Sequence, residues 1–208
     1  MIFRLDKRLL FPDPELAEDD GLLAVGGDLS PQRLLLAYQN GIFPWYSDDT
    51  PILWYSPHQR FVLYPQNLRI SKSMRQVLRS GKFNITINTC FADVIKACSV
   101  AWREGQDGTW ITDDMMAAYI QLHQLGHAHS VEVWQDGELV GGLYGVQTGR
   151  VFCGESMFSK VSNASKLALI SLCQSGNYNL IDCQVHTGHL ESLGAGMISR
   201  EEYMGMLR

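Results

Sequence analysis

Three polar side chains in apolar surroundings are the first places where this sequence could do chemistry. Glu155 follows a glycine at the end of the apolar run VFCGES, with a helix expected shortly after it. A carboxylate at a strand end can face a cleft and pair with a basic group on a substrate. The plainer reading is a surface glutamate or a structural ion pair. Asp182 and Gln184 are two apart in LIDCQV, so on a strand they share one face while Ile181 and Cys183 share the other. A carboxylate beside an amide brings acceptors and a donor together; the competing reading is the solvated face of an edge strand. Trp45, Tyr46, Trp54 and Tyr55 crowd one short stretch. Flat rings suit stacking on a nucleobase, and they equally suit the core of a small module.

Other chemistries are disfavoured. His123, His127 and His129, or His186 and His189, could be drawn as metal ligands. However, His123-x3-His127 lacks the glutamate of a zinc-protease helix and runs into Gly126, so no metal is expected. No glycine-rich nucleotide loop and no GxSxG elbow occurs, and Ser156 in CGESM does not match a hydrolase serine. Cys90, Cys98, Cys153, Cys173 and Cys183 are odd in number and widely spaced, which fits thiols in a reducing compartment. Neither a signal peptide nor an apolar run of the roughly 18 residues that a membrane span needs is visible. The net charge of -5 argues against wrapping long nucleic acid, but residues 51–92 hold no Asp or Glu. The same stretch carries Arg60, Arg69, Lys72, Arg75, Arg79 and Lys82. Such a patch could hold a few phosphates, or be an ordinary solvated helix face.

The elements that must position these residues are legible in outline. The 208 residues, 46% hydrophobic and 19% charged, suffice for one large domain, or for one with a small partner. Ser30-Pro31 starts a helix that Gly41 closes. Prolines then break IFPWYSDDTPILWYSP, so residues 1–65 read as a small N-terminal module and 66–208 as the main domain. FVLYP is a short strand at the join. SKSMRQVLRSG is a helix with a basic face, FNITINT a strand, and Thr89 the start of another helix. REGQDGTW reads as a loop and Thr112 caps the helix after it. HSVEVWQ and LVGGLYGV are strands joined by Asp136-Gly137, a hairpin signal. VFCGES is a strand, Asn163 caps a helix to Cys173, YNLIDCQV is a strand, and SREE is a capping box. Central strands with flanking helices give an α/β (mixed α+β) fold around one mixed sheet.

Taken together, the segments LLAVGGDLSPQRLLLAYQNGIFPWYS, ILWYSP, GTWIT, LHQLGHAHSVEVWQDGELVGGLYGV, FCGESMFS, NASKLAL and LIDCQV closely resemble the bacterial leucyl/phenylalanyl-tRNA–protein transferases. The resemblance covers nearly the whole chain, with the signatures in the family's order. It implies transfer of Leu or Phe, less well Met, from aminoacyl-tRNA to proteins beginning with Arg or Lys, which marks them for degradation. It also implies a small N-terminal domain, a larger one like the GCN5-related N-acetyltransferases, and no metal or other cofactor. A cytoplasmic monomer is expected. By resemblance, Glu155 meets the acceptor's basic residue, Asp182 and Gln184 are the catalytic strand pair, and Trp45 lies near the 3′ adenosine. Tyr38, Trp110 and Tyr119 match cleft positions, and Arg75, Arg79 and Lys82 match the region for the acceptor stem. Leu143, Met157, Leu169, Leu172 and Ile181 match the pocket for the transferred side chain. Leu143 stands where Met is known and Leu172 where Phe is known, which keeps the pocket apolar but alters its shape.

Three other functions are open to the same residues. One is an acyl-CoA-dependent N-acetyltransferase, with SLGAG (192–196) as a pyrophosphate turn. The others are a noncatalytic tRNA-binding module and a tRNA-dependent transferase acting on cell-wall peptides.

Overall fold

The computed structural model describes residues 2–101 and 110–208. In chain order the elements are β1 (Phe3–Leu5), β2 (Leu22–Gly26), α1 (Pro31–Gln39), β3 (Phe43–Pro44), β4 (Leu53–Tyr55) and β5 (Gln59–Leu63). Then follow α2 (Lys72–Arg79), β6 (Asn84–Ile87), α3 (Phe91–Ser99), α4 (Asp113–Gln124), β7 (Ala128–Gln135), β8 (Glu138–Thr148) and β9 (Val151–Ser159). The chain closes with α5 (Ala164–Gln174), β10 (Leu180–Gln184), α6 (Gly188–Ser192), β11 (Gly196–Ser199) and α7 (Arg200–Met206).

Local chemistry sets most of the boundaries. Ser30 Oγ accepts the Arg33 N–H ahead of α1, Ser71 Oγ accepts that of Met74 ahead of α2, and Thr112 Oγ1 accepts that of Met115 ahead of α4. Asp136 and Gly137 both have positive φ, 52° and 81°, as a tight hairpin turn between β7 and β8 demands. One expected start differs and two expected caps form only in part. The helix assigned to Thr89 begins at Phe91, because the Thr89 hydroxyl donates to buried Glu132 at 2.9 Å instead of capping. Asn163 precedes α5 but sits at φ 73° and makes no side-chain cap bond. Ser199 caps α7 through the Glu202 N–H, yet the Glu202 carboxylate accepts the Tyr64 hydroxyl at 2.8 Å, so only half of the capping box forms.

Among the described residues the strands form two sheets. The smaller has the order β1-β2-β4-β3. The larger has the order β11-β5-β10-β9-β8-β7-β6. Strands β9 and β10 run parallel, joined through α5, while the other neighbours in this sheet are antiparallel. This is the mixed sheet flanked by helices that the sequence implied. The FVLYP strand lies inside it, as β5 between β10 and β11.

Alternation along the strands supplies both faces. Val62, Tyr144, Cys153 and Leu180 point into one core, which also takes in α3, α4 and the buried Leu23, Ala24 and Trp54 of the smaller sheet. Phe61, Leu63, Leu143, Phe152 and Ile181 point into the other, against α5. The N-terminal module therefore shares its core with the main sheet. Strand β10, being interior, has no solvated edge.

Candidate active site

Pairing of β9 with β10 runs from Val151–Leu180 to Cys153–Asp182 and stops there. Both strands are irregular just beyond. Against β8, Tyr144 faces Ser156 and Gly145 faces Gly154, which leaves Glu155 as the extra residue of a bulge. Against β5, Asp182 faces Val62 and Gln184 faces Phe61, which leaves Cys183 extra. Bulges bend a strand and re-aim a side chain. Two of them on adjacent strands, past the last shared pair, open a fork, and a cavity of about 420 Å³ is lined from both sides of it.

The polar residues converge at that fork. Glu155 is 7% exposed and Asp182 is fully buried. Tyr38 Oη donates to Glu155 Oε1 at 2.7 Å, Gln184 Nε2 to the same oxygen at 2.9 Å, and Tyr119 Oη to Oε2 at 3.2 Å. The two tyrosine hydroxyls also touch each other. Burial pushes the Glu155 carboxyl up from 4.5 to about 7, against the pull of its bonds to Tyr38, Gln184 and Tyr119, and the nearby Asp182 charge adds to the rise. Burial and the facing Glu155 also hold both tyrosines well above their ordinary range, so they remain donors. Asp182 Oδ1 accepts the Gln184 N–H at 3.0 Å, while Oδ2 is ion-paired with Arg60. Neither Asp182 nor Gln184 lies on a solvated edge.

The remaining residues matched by resemblance divide into three groups. Leu143, Met157, Leu169, Leu172 and Ile181 all line the cavity and give it an apolar wall. Trp45, 41% exposed, and Trp110 also line it. Trp45 packs edge-on against Tyr55, whereas Trp54 is fully buried, with its indole N–H on the Gly26 carbonyl. Tyr38 and Tyr119 stand behind Glu155. Arg75, Arg79 and Lys82 are exposed on and after α2, away from the cavity lining. The loop expected over REGQDGTW falls outside the described residues up to Thr109.

Some sequence readings need correction. Arg60 does not belong to an exposed basic patch: it is 2% exposed and paired with Asp182. The SLGAG turn is not free to cradle a pyrophosphate. The N–H groups of Leu193, Gly194 and Ala195 already donate to the carbonyls of Leu190 and Glu191. Gly194, at φ 107°, is pressed so closely on Asn67 that a Cβ would lie 2.3 Å from that carbonyl oxygen. Three of the histidines that the sequence reading set aside as ligands make other contacts: His123 stacks on Phe91 and bonds the Ala128 carbonyl, His129 bonds Asn88, and His186 bonds Glu191. Sequence reading did not place Phe43 or His189 in the cavity wall; His189 drew notice only as a metal ligand that was set aside.

Comparison with known proteins shows the family. A family model described as Leucyl/phenylalanyl-tRNA protein transferase matches residues 62–208, and one described as the N-terminal domain of that transferase matches residues 27–58. The chain belongs to the leucyl/phenylalanyl-tRNA–protein transferase family. A relative of that name from Syntrophobacter fumaroxidans is 57% identical over 99% of this chain and 89% of its own. Another, from Flavobacterium johnsoniae, is 55% identical over 100% of this chain and 99% of its own. Among solved structures, a GCN5-related N-acetyltransferase from Kribbella flavida aligns with a TM-score of 0.38 at 9% identity, over 77% of this chain and 58% of that one. Among the described residues no helix is long and apolar enough to cross a membrane.

Proposed function

We propose that this chain takes Leu or Phe, and less well Met, from aminoacyl-tRNA and joins it to the α-amine of proteins that begin with Arg or Lys. The product carries a destabilising N-terminal residue and is passed to degradation. Charged tRNA is a cytoplasmic molecule, so the reaction is assigned to the cytoplasm. The observation that carries this reading is the pairing of an apolar cavity of about 420 Å³ with Glu155 at its wall. A Leu or Phe side chain gains from burial there, whereas a charged one would shed water without a partner. Neighbouring aliphatic shapes differ by only about 1–3 kcal/mol per methylene, so some Met transfer follows.

The donor is an ester of the terminal ribose and is already activated. The acceptor's α-amine, with a pKa near 8, is partly neutral at pH 7. Its nitrogen attacks the ester carbonyl, the C–N bond forms, the C–O bond to ribose breaks, and the proton lost by nitrogen ends on the departing ribose oxygen. Alignment of the two substrates is the main catalytic task. In this reading Glu155 pairs with the guanidinium or ammonium of the acceptor's first side chain and so sets where the amine lies. Gln184, anchored on Glu155 through its Nε2, has its carbonyl oxygen to accept from the amine. Asp182, with one oxygen on Arg60 and the other on the Gln184 N–H, acts on the amine through Gln184 rather than by contact. Trp45 offers a face for the terminal adenosine, and Arg75, Arg79 and Lys82 offer charge to the acceptor stem.

The test is transfer of labelled Leu and Phe, each charged on tRNA, to matched peptides beginning with Arg, Lys or Ala. Transfer to Arg and Lys but not Ala supports the reaction and the acidic grip. Transfer from acyl-CoA without tRNA, or tRNA binding with no transfer, would refute it.

A further inference from the structure

Resting on that reaction, we propose that Arg60 is a positioning residue for the transfer site, acting through Asp182 to hold Gln184 against Glu155. The residue lies on β5, not on any strand that bears the matched site residues. Its guanidinium is gripped by four partners. Nη2 pairs with Asp182 Oδ2, and Nη1 donates to the Gly41 carbonyl at 3.1 Å. The flat cation is also held by two rings, with its carbon 4.9 Å from the Phe43 centroid and 4.3 Å from that of Tyr203. Gly41 and Phe43 follow α1 and Tyr203 lies on α7, so Arg60 ties both of these segments to the base of the fork. Tyr203 in turn touches Cys153 Sγ, at 3.4 Å, on the last β9 residue paired to β10.

Burying this pair is not an economical way to stabilise a core. Buried ion pairs often contribute less than apolar residues of the same volume. Arg60 Nε also has no hydrogen-bond partner among the described residues, an added cost of burial. What the pair does accomplish is geometric. With Oδ2 committed to Arg60, Asp182 presents Oδ1 to the N–H of Gln184 two residues on, at 3.0 Å. That local bond is of the kind by which aspartate closes turns. Here it accompanies a Gln184 φ of 58°, a conformation uncommon for a residue other than glycine. From that backbone the Gln184 carboxamide reaches Glu155. The chain of contacts therefore runs Arg60, Asp182, Gln184, Glu155. A lysine would keep the charge but lose the planar fork that spans Asp182 and Gly41 and stacks between two rings.

The experiment compares the unaltered protein, Arg60→Lys and Arg60→Ala in the Leu-tRNA to Arg-peptide transfer, with thermal melting of each and the Arg60→Ala assay repeated with millimolar methylguanidinium. Expected are a folded Arg60→Lys protein whose kcat falls by about tenfold or more while its KM for charged tRNA stays within about twofold. Methylguanidinium should restore part of the Arg60→Ala kcat, and sodium chloride of equal ionic strength should not. An Arg60→Lys kcat within about twofold of the unaltered protein overturns the role. So does a loss that follows the melted fraction, which makes Arg60 merely structural, or a rise in KM for tRNA with kcat unchanged. If Arg60→Ala does not fold, the Arg60→Lys result decides. No transfer by the unaltered protein counts against the reaction itself, and the Arg60 role falls with it.

Discussion

Gln184 Nε2 lies 2.9 Å from Glu155 Oε1, although 29 residues separate the two in sequence. The contact depends on two irregularities at once. Glu155 is the unpaired residue of the β9 bulge, and Gln184 follows the unpaired Cys183 of the β10 bulge. Each bulge alone would turn one side chain; together they turn two toward each other across the fork. Glu155 thereby gains a third hydrogen-bond donor beside Tyr38 and Tyr119, and still burial outweighs all three in setting its ionisation.

Glu155→Gln is expected to abolish the preference for basic N-termini. Removing the charge from a pair this well buried costs about 2–4 kcal/mol, or roughly 30- to 1,000-fold in kcat/KM for an Arg peptide, with little change in KM for charged tRNA. The pH profile should change with it. The ionised carboxylate is the form that pairs with a cation, and burial holds the group near 7. In the unaltered protein kcat/KM for the Arg peptide should therefore fall with two protons as pH drops below about 7, one on Glu155 and one on the amine. The Gln variant should fall with one. Rates from pH 5.5 to 9 check this, and parallel profiles would count against Glu155 as the grip.

The same carboxyl should cost stability at alkaline pH. Its folded value, about 7, lies above the ordinary 4.5, so the folded state holds the proton more tightly than the unfolded chain. Its contribution is fully present below about 4.5 and is lost as pH rises to about 7. Glu155→Gln keeps the shape and an acceptor oxygen without the charge. It should melt several degrees above the unaltered protein at pH 8, with the gap closing toward pH 5. Thermal melts at the two pH values measure it; an equal gap at both would refute the assignment.

How far the site was legible depends on the range of the forces that built it. Ser30, Ser71, Thr112 and Asp136-Gly137 act on their own neighbours, so the sequence announced α1, α2, α4 and the β7–β8 turn. Strand period alone put Asp182 and Gln184 on one face, but the bulge at Cys183 interrupts that period, and Gln184 reaches Glu155 from a backbone φ of 58°. The bulges were not legible, because pairing with β8 and β5 decides which residue is left over. Arg60 was misread for the same reason: its partner stands 122 residues away, and in sequence it looks like one more cation in an acid-free stretch. Thr89 and Glu202 were drawn from their expected caps by Glu132 and Tyr64, contacts that no local pattern encodes. The roles given to Leu143, Leu169 and Leu172 came from resemblance, and the fold gathers these residues around one cavity.

Donor choice should be adjustable at Leu172. The residue is 5% exposed and lines the cavity beside Leu169 and Ile181. Leu172→Phe adds a ring to the cavity wall, which is the pocket proposed for the transferred side chain. The larger donor should lose more than the smaller, so the ratio of kcat/KM for Phe-tRNA to that for Leu-tRNA should fall by about 5- to 30-fold, the equivalent of about 1–2 kcal/mol. A fall of both rates by the same factor would mean that the ring distorts the site without narrowing the pocket.

The basic residues near α2 should act on tRNA affinity and leave the chemistry alone. Arg75, Arg79 and Lys82 are exposed, and among the described residues none lines the cavity. Each phosphate neutralised on a duplex contributes about 0.9 to the slope of log affinity against log salt. Replacing all three with glutamine should therefore flatten that slope by about two to three units and raise KM for charged tRNA at low salt. The kcat at saturating tRNA should be unaffected, because Glu155, Gln184 and Asp182 keep their contacts. Binding of charged tRNA by the triple variant from 50 to 300 mM salt is the measurement. An unchanged slope would remove these side chains from the tRNA interface, and a lowered kcat would mean that the patch also orients the acceptor end in the cavity.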